Sequence, residues 1–372
     1  MRKMTTCLAV MLGAGLAIGS AGPVKADAVS DFYKGKRLKL LIGFGTGGGY
    51  NLYARHVARH MGRHIPGDPS FIAQNMPGAG SIRLTNHLFN KAPKDGTEIG
   101  MVSQAIPLSQ LLNYKGFKAD LSKFNWIGNA SVSNGVTSAW HTRPFKTLED
   151  VKKNEMVVPA SGGRSTSTII PRVLNAILGT KFKIIQGFSG AGQMNLAIER
   201  GEVDGRASNT LASWNATAPD WVANKKLVHL VQFGLKSDPR IADVPLAHTL
   251  TTNKDDQAVL RILSSLPAIG RPIAAPPGVP AERVAALRKA FDDTMTDAAY
   301  IAEAKKLKME LNPMGGAELA DVITKVMATP QSVVDKFKIA VKYGKTYKCK
   351  EVMKDLSRCR KAKKKKKKKK AS

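Results

Sequence analysis

The chain has 372 residues, 58 Lys/Arg against 28 Asp/Glu for a formal net charge of +30, and three cysteines. That length admits two domains of ordinary size, so few cysteines exclude a disulfide-framed scaffold, and no stretch beyond the amino terminus approaches the ~20 consecutive apolar residues of a membrane span. Residues 345–372 carry 15 of the Lys/Arg against Glu351 and Asp355, so much of the charge belongs to one end, and what remains on the body suits an anionic ligand and an acidic surface equally well.

In chain order, Arg2 and Lys3 precede the apolar, glycine-rich stretch CLAVMLGAGLAIGSAG, and Val24-Lys25-Ala26 puts small residues at the −3 and −1 positions. This predicts a signal peptide over residues 1–26, cleaved after Ala26, and hence an exported protein. Next come a strand over 37–44, a helix over 50–64, a strand over 70–76, a turn and helix over 77–93, a strand over 97–103 and a helix over 104–113. This β-α-β-α-β rhythm predicts a parallel sheet covered by helices. The pattern then restarts: strands over 136–142, 155–163, 181–188, 202–208 and 227–235 alternate with helices over 146–153, 165–178 and 192–201. SLPAIGRPIAAPPGVP (265–280) reads as a strand running into a Pro-rich turn, and helices over 281–297, 297–308 and 316–341 complete the body. The expected architecture is α/β with two lobes, each a mostly parallel sheet flanked by helices. Lobe one comprises 27–132 plus 236–344, lobe two 133–235, and 345–372 form a Lys-rich disordered tail. Cys349 and Cys359 lie in that tail, where pairing would close only a small peripheral loop.

The stretch GFGTGGGYN, Gly43 to Asn51, satisfies the G-x-G-x-x-G dinucleotide fingerprint and sits between an apolar run and a helix. A Rossmann unit also wants an acid at the end of the second strand to hold the ribose. Here that strand ends Gln74-Asn75, and Asp68 stands at its wrong end. No nucleotide, and no other cofactor, is therefore expected. The physics beneath the fingerprint survives. Gly47, Gly48 and Gly49 leave backbone N–H groups accessible at a helix start, where the partial positive charge favours an anion. A carboxylate is as natural a guest as a phosphate; a tight strand-to-helix turn without a ligand is the plainer alternative. A second loop repeats the design. Ser161, Gly162 and Gly163 follow a strand, and Ser165, Thr166, Ser167 and Thr168 open a helix, where hydroxyls are also ordinary N-caps. Two such loops at the carboxyl ends of strands would face each other across a cleft.

LKLLIGFGTGGGYNLYARHVARHM, AQNMPGAGSIRLTNHLFNKAPKDGTEIG and ASGGRSTSTIIPRVLNAILGTKFKIIQGFSGAGQMNLAIERGEVDG, followed by RPIAAPPGVPAERVAALRKAF, resemble the substrate-binding proteins of tripartite tricarboxylate transporters, the Bug or TctC-like periplasmic receptors. The resemblance runs from about Phe32 to about Val341. It implies a two-lobed periplasmic-binding-protein fold of type II, a monomer without catalytic activity that closes on an organic carboxylate. The solute then passes to a secondary transporter made of a large and a small membrane subunit. It also implies a ligand site. Phe44, Thr46, Gly47, Gly48, Gly49, Tyr50 and Asn51 form the first loop; Ser161, Gly162, Gly163, Arg164, Ser165, Thr166 and Ser167 form the second. Gly78, Ala79, Gly80, Ser81, Ser103, Gln104, Phe188, Gly190, Ala191 and Asn209 line the same cleft. Asn51 stands where the family commonly has Asp, which removes a partner for a ligand amine. Arg164 is a candidate clamp for a further acidic group. Both favour a non-amino organic acid.

Three rivals are weaker. His56, His60 and His64 recur every four residues, as zinc ligands on a helix can, but Arg55, Arg59 and Arg63 run beside them without a carboxylate, so a basic solvated face is expected and no metal. GFSGAG resembles a nucleophile elbow but has Ala191 where G-x-S-x-G needs Gly, and no His is suggested beside a candidate Ser. Glu202 and Asp204 match a structural turn. Polyanion binding rests on the tail alone: the lysine run Lys363–Lys370 carries no aromatic platform for stacking bases, so no specific nucleic-acid binding is expected.

Overall fold

The structure, a computed structural model, describes residues 24–348, with side chains from residue 28. Twelve strands are present in this span: β1 (Arg37–Ile42), β2 (Ser70–Asn75), β3 (Glu98–Met101), β4 (Asn125–Asn129), β5 (Gly135–Trp140), β6 (Met156–Ala160), β7 (Phe182–Gln186), β8 (Gly205–Thr210), β9 (Leu227–Phe233), β10 (Pro272–Ala275), β11 (Met314–Gly315) and β12 (Thr346–Lys348). They form a six-stranded sheet in the order β11-β4-β10-β3-β1-β2 and two three-stranded sheets, β12-β7-β6 and β8-β5-β9.

The six-stranded sheet is the floor of the large lobe. Its parallel half is β2-β1-β3, and β10, β4 and β11 join antiparallel. RLKLLI makes a central strand because Leu38, Leu40 and Ile42 point to one face and Leu41 to the other, all buried. The first set meets Tyr53 and Val57 of the helix Gly49–His60 and Phe291 of the helix Ala281–Thr296; Leu41 meets Leu84, Leu88 and Ile106 on the opposite side. Fully burying each such side chain contributes roughly 1.5–3 kcal/mol. Register matters most for function. Ile42 pairs with Asn75 and Met101, so the segments beginning at Gly43, Met76 and Val102 leave the sheet at one edge. In the small lobe Ala160 pairs with Gln186, so the segments after β6 and β7 also leave together.

The chain crosses to the small lobe between β4 and β5 and returns after β9. A third crossing was not anticipated: Thr346, Tyr347 and Lys348 pair in parallel with Ile184, Ile185 and Gln186 of β7. The expected disordered tail from residue 345 is thus corrected at its start, where a β-branched and an aromatic residue extend an existing edge. Cys349, Cys359 and Lys363–Lys370 lie outside the described residues.

Two other expectations are revised. The strand predicted from Ser265 begins only at Pro272, and residues 265–269 complete a helix, Lys254–Ile269, that contains Pro267. Val259, Leu260, Leu263 and Leu266, at helical spacing, are buried there, and this packing outweighs the N–H that Pro267 lacks. The histidine stripe is not a solvated face. His56 and His60 are buried against the helix Ala298–Lys306. The His56 ring stacks on Tyr300 at 4.1 Å between centroids, and its Nε2 lies 3.0 Å from the Tyr300 carbonyl. The carboxylates arrive from a distant segment: Glu303 contacts His60 and Arg59, and Asp297 contacts Arg63 and His64. Among the described residues no helix is long and apolar enough to cross a membrane.

Candidate functional site

A cavity lies where the loop edges of the two lobes meet. From the large lobe it is lined by Phe44, Gly45, Gly48, Gly49, Tyr50, Asn51, Ser103, Gln104 and Arg271. From the small lobe come Ser161, Ser165, Thr166, Ser167, Gly190, Ala191, Met194, Arg206, Ser208, Asn209, Thr210 and Ser213. Its volume is ≈ 90 Å³. A single enclosed water needs roughly 10–15 Å³ on the same scale, so the space suits a solute of about six to nine non-hydrogen atoms.

Three helices with uncapped starts begin at this cavity: Gly49–His60, Thr166–Leu178 and Ala191–Glu199. Their N-cap residues Gly48, Ser165 and Gly190 all line it, and none accepts a side-chain capping hydrogen bond. Thr210, which also lines the cavity, caps the helix Leu211–Thr217 by accepting from Ser213 N–H. Away from the cavity Thr147, Asn253 and Asp297 cap their helices, whereas Ser81, Pro280, Gly315 and Pro330 make no side-chain cap. The first N–H groups of a helix need an acceptor, and three uncapped starts direct theirs toward one space. The second loop's hydroxyls are spent within the loop. Ser165 Oγ donates to the Gly162 carbonyl at 2.7 Å and lies 2.7 Å from Ser167 Oγ, which accepts from Ser161 N–H at 3.2 Å. They shape the loop, which also uses its Ser161 and Ser165 N–H groups internally.

No carboxylate and no lysine lines the cavity; its charged residues are Arg206 and Arg271. Sequence reasoning missed both, along with Gly45, Met194, Ser208, Thr210 and Ser213. Arg271 is 4 % exposed. It lies 4.4 Å from the Tyr50 ring centroid, and its Nη2 donates to Thr210 Oγ1 at 3.0 Å. Arg206 is 7 % exposed, donates to Asn195 Oδ1 and the Ser208 carbonyl, and lies 5.2 Å from the Trp214 ring. Burial, with Arg271 as a second cause, pulls the Arg206 guanidinium down to about 10, still charged at neutral pH. The available signal was an arginine inside the strand GRASNT and another opening PIAA, places where a cation is rarely buried without purpose.

Of the residues expected at the site, fourteen line the cavity: Phe44, Gly48, Gly49, Tyr50, Asn51, Ser103, Gln104, Ser161, Ser165, Thr166, Ser167, Gly190, Ala191 and Asn209. The rest lie outside it. Tyr50 is held by its hydroxyl, which accepts from Gln104 N–H at 2.9 Å, and by Phe44 at 4.4 Å between centroids. Asn51 Oδ1 accepts from Arg55 and Asn75, and Asn75 also donates to the Phe44 carbonyl, so Asn51 braces the first loop.

Four of the expected residues outside the cavity, Thr46, Gly47, Gly80 and Arg164, lie at the seam between the lobes. A Cβ on Gly45 would stand 2.9 Å from the Ser189 carbonyl, and one on Gly47 3.2 Å from Gly192 Cα; Thr46 carries the same seam past Gly190. Gly80 makes a second seam, where a Cβ would meet the Arg164 carbonyl at 2.5 Å. Gly78, Ala79, Gly80 and Ser81 all have positive φ, and this bend sets Ser81 under Gly43. Gly162 meets nothing within 4 Å, and Gly163 faces Gln186. Phe188 is fully buried among small-lobe core residues. Arg164 does not reach the cavity; its guanidinium lies 5.1 Å from the ring of Tyr114, a large-lobe residue. Ser189 turns its backbone to Gly45 and donates its N–H to Gln193 at 2.8 Å, with no histidine contact. Asp204 is structural, accepting from Val157 N–H at 2.7 Å and pairing with Arg143 at 3.2 Å.

No protein-family model matches the sequence, and no curated protein matches it. Solved structures do. The periplasmic binding protein BugD superposes with a TM-score of 0.65 at 19% identity, covering 83% of this chain and 98% of that one. MatC from Rhodopseudomonas palustris with bound malate gives 0.62 at 19% identity, covering 82% and 99%. An adipate-bound protein of R. palustris gives 0.63 at 15% identity, covering 83% and 98%. At these identities the likeness is one of fold: this chain has the two-lobed fold of periplasmic binding proteins.

Proposed function

We propose that this chain is an exported solute-binding protein that closes its two lobes on a small organic carboxylate and passes it to a membrane transporter. The observation that carries the reading is the sign of the cavity. Three uncapped helix starts and two buried guanidiniums surround it, and no acid does. Such a wall favours an anion and gives an ammonium group no charged partner. The bracing role of Asn51 agrees, since this position offers no negative charge to a ligand amine.

Binding rests on pre-placed backbone amides, which cost little to organise and recognise a carboxylate by geometry. Bound malate and adipate in two proteins of the same fold support the ligand class. The same fold supports a periplasmic location, a non-enzymatic role and, as partners, the large and small membrane subunits of a tripartite tricarboxylate-type transporter. Native mass spectrometry of protein secreted by its own signal segment tests the reading. A small acid adduct, released on unfolding and identified as a carboxylate, is expected. A sugar or a basic solute in its place overturns it.

A further inference from the structure

Resting on that carboxylate reading, we infer that Arg206 and Arg271 form a clamp split between the lobes, which selects ligands bearing two anionic groups and makes closure depend on both. Arg271 precedes β10 of the large lobe and Arg206 lies within β8 of the small lobe. Both line the same cavity and both are more than nine-tenths buried. Every hydrogen-bond acceptor they have among the described residues is neutral: Thr210, Gly270, Asn195 and Ser208. The Nε of each is buried and has no acceptor. Two unpaired cations in a closed, poorly solvated space repel each other and lose hydration. Neutral dipoles and aromatic faces repay only part of that cost.

A monocarboxylate leaves one guanidinium uncompensated, whereas a short dicarboxylate meets one cation from each lobe. The contact of Arg271 with Thr210 already spans the lobes, so the clamp is assembled only when they meet. Opening the cleft parts Arg271 from Thr210 and moves the two guanidiniums away from each other. The empty protein is thereby biased toward the open form, and the second carboxylate supplies the difference that closes it.

Succinate and butyrate share a four-carbon chain and differ by one carboxylate, which makes them suitable probes. Calorimetry on the wild type is expected to give succinate a preference of about 100-fold over butyrate, since an uncompensated buried charge is costly. Arg271→Met and Arg206→Met are each expected to reduce that preference to about threefold, with Arg271→Lys intermediate. The melting temperature of the empty protein should not fall in the Met variants, because each removes a buried unpaired charge. Equal wild-type affinities for the two acids overturn the clamp while leaving carboxylate capture intact, and they do so without any variant. An unchanged preference in folded Met variants, or equal losses for both acids with a lower melting temperature, assigns the arginines a purely structural role. Binding of neither acid nor any other carboxylate removes the functional reading and the clamp together.

Discussion

Gly49 is where one added carbon bears on the ligand without straining the backbone. Its Cβ would stand 3.0 Å from Arg271 Nη2 and 3.0 Å from Ser213 Oγ, at the first position of a helix. Gly49→Ala should therefore weaken carboxylate binding about tenfold, or ~1.4 kcal/mol, while stability holds or rises because Ala favours helix. Titration alongside denaturant unfolding checks both halves; equal losses in affinity and stability would contradict the assignment. Gly47 differs, since its φ of +75° adds backbone strain to the contact with Gly192. The glycines were legible as an anion-accepting helix start because that property is local. Their second use, letting Gly45 and Gly47 touch Ser189 and Gly192, was not, because the partner lies far along the chain. Arg206 and Arg271 were illegible for a related reason. Nothing in their neighbours announces burial, which the meeting of two lobes imposes. Arg164, beside the right loop, was the more conspicuous arginine and turned toward Tyr114 instead.

At the scale of elements, Asp297 joins two helices and a third. It caps Ala298–Lys306 by accepting from Tyr300 N–H at 2.9 Å, and it contacts Arg63 at 2.6 Å. The Tyr300 amide, with help from Arg63, holds its carboxyl down at about 2. A depressed carboxylate stabilises the fold above its unfolded value near 3.8, and that contribution disappears as pH falls toward about 2. Asp297→Ala should cost about 1 kcal/mol at pH 7, with the gap from wild type narrowing in acid; a gap that widens below pH 4 would refute it. His56 acts with the opposite charge logic but in the same direction. Burial lowers its pKa from 6.5, so unfolding takes up a proton and stability falls as pH drops below that value. His56→Gln should flatten this slope in urea titrations between pH 7 and pH 5. The helix carrying these histidines was readable from its period. Its burial was not, because Glu303 and Asp297 come from a segment more than 200 residues away.

For the whole molecule, the strand-helix alternation announced two α/β lobes, and the apolar run of β1 announced a buried central strand. The antiparallel insertion of β10 between β3 and β4, and the return of β12 to the small lobe, depend on long-range pairing that period alone does not encode. The lobes touch glycine to glycine, so their closure tolerates little added volume. Gly192→Val, placed 3.4 Å from Gly47 Cα before any branching, should keep the ligand-saturated protein at the radius of gyration of its empty form in small-angle scattering. Wild-type compaction on adding succinate is the expected control, and equal compaction of the variant would show that the seam is not a closure surface.

The central claim is that a cavity walled by helix starts and guanidiniums, without an acid, captures a carboxylate and rejects an amine. Calorimetry on protein unfolded to release bound solute, refolded, and titrated with succinate, citrate, aspartate and glucose tests it most directly. Saturable one-to-one binding of succinate, with aspartate at least about tenfold weaker for want of a charged partner for its ammonium group, is the predicted result. Binding of aspartate or glucose without binding of either plain acid would contradict it.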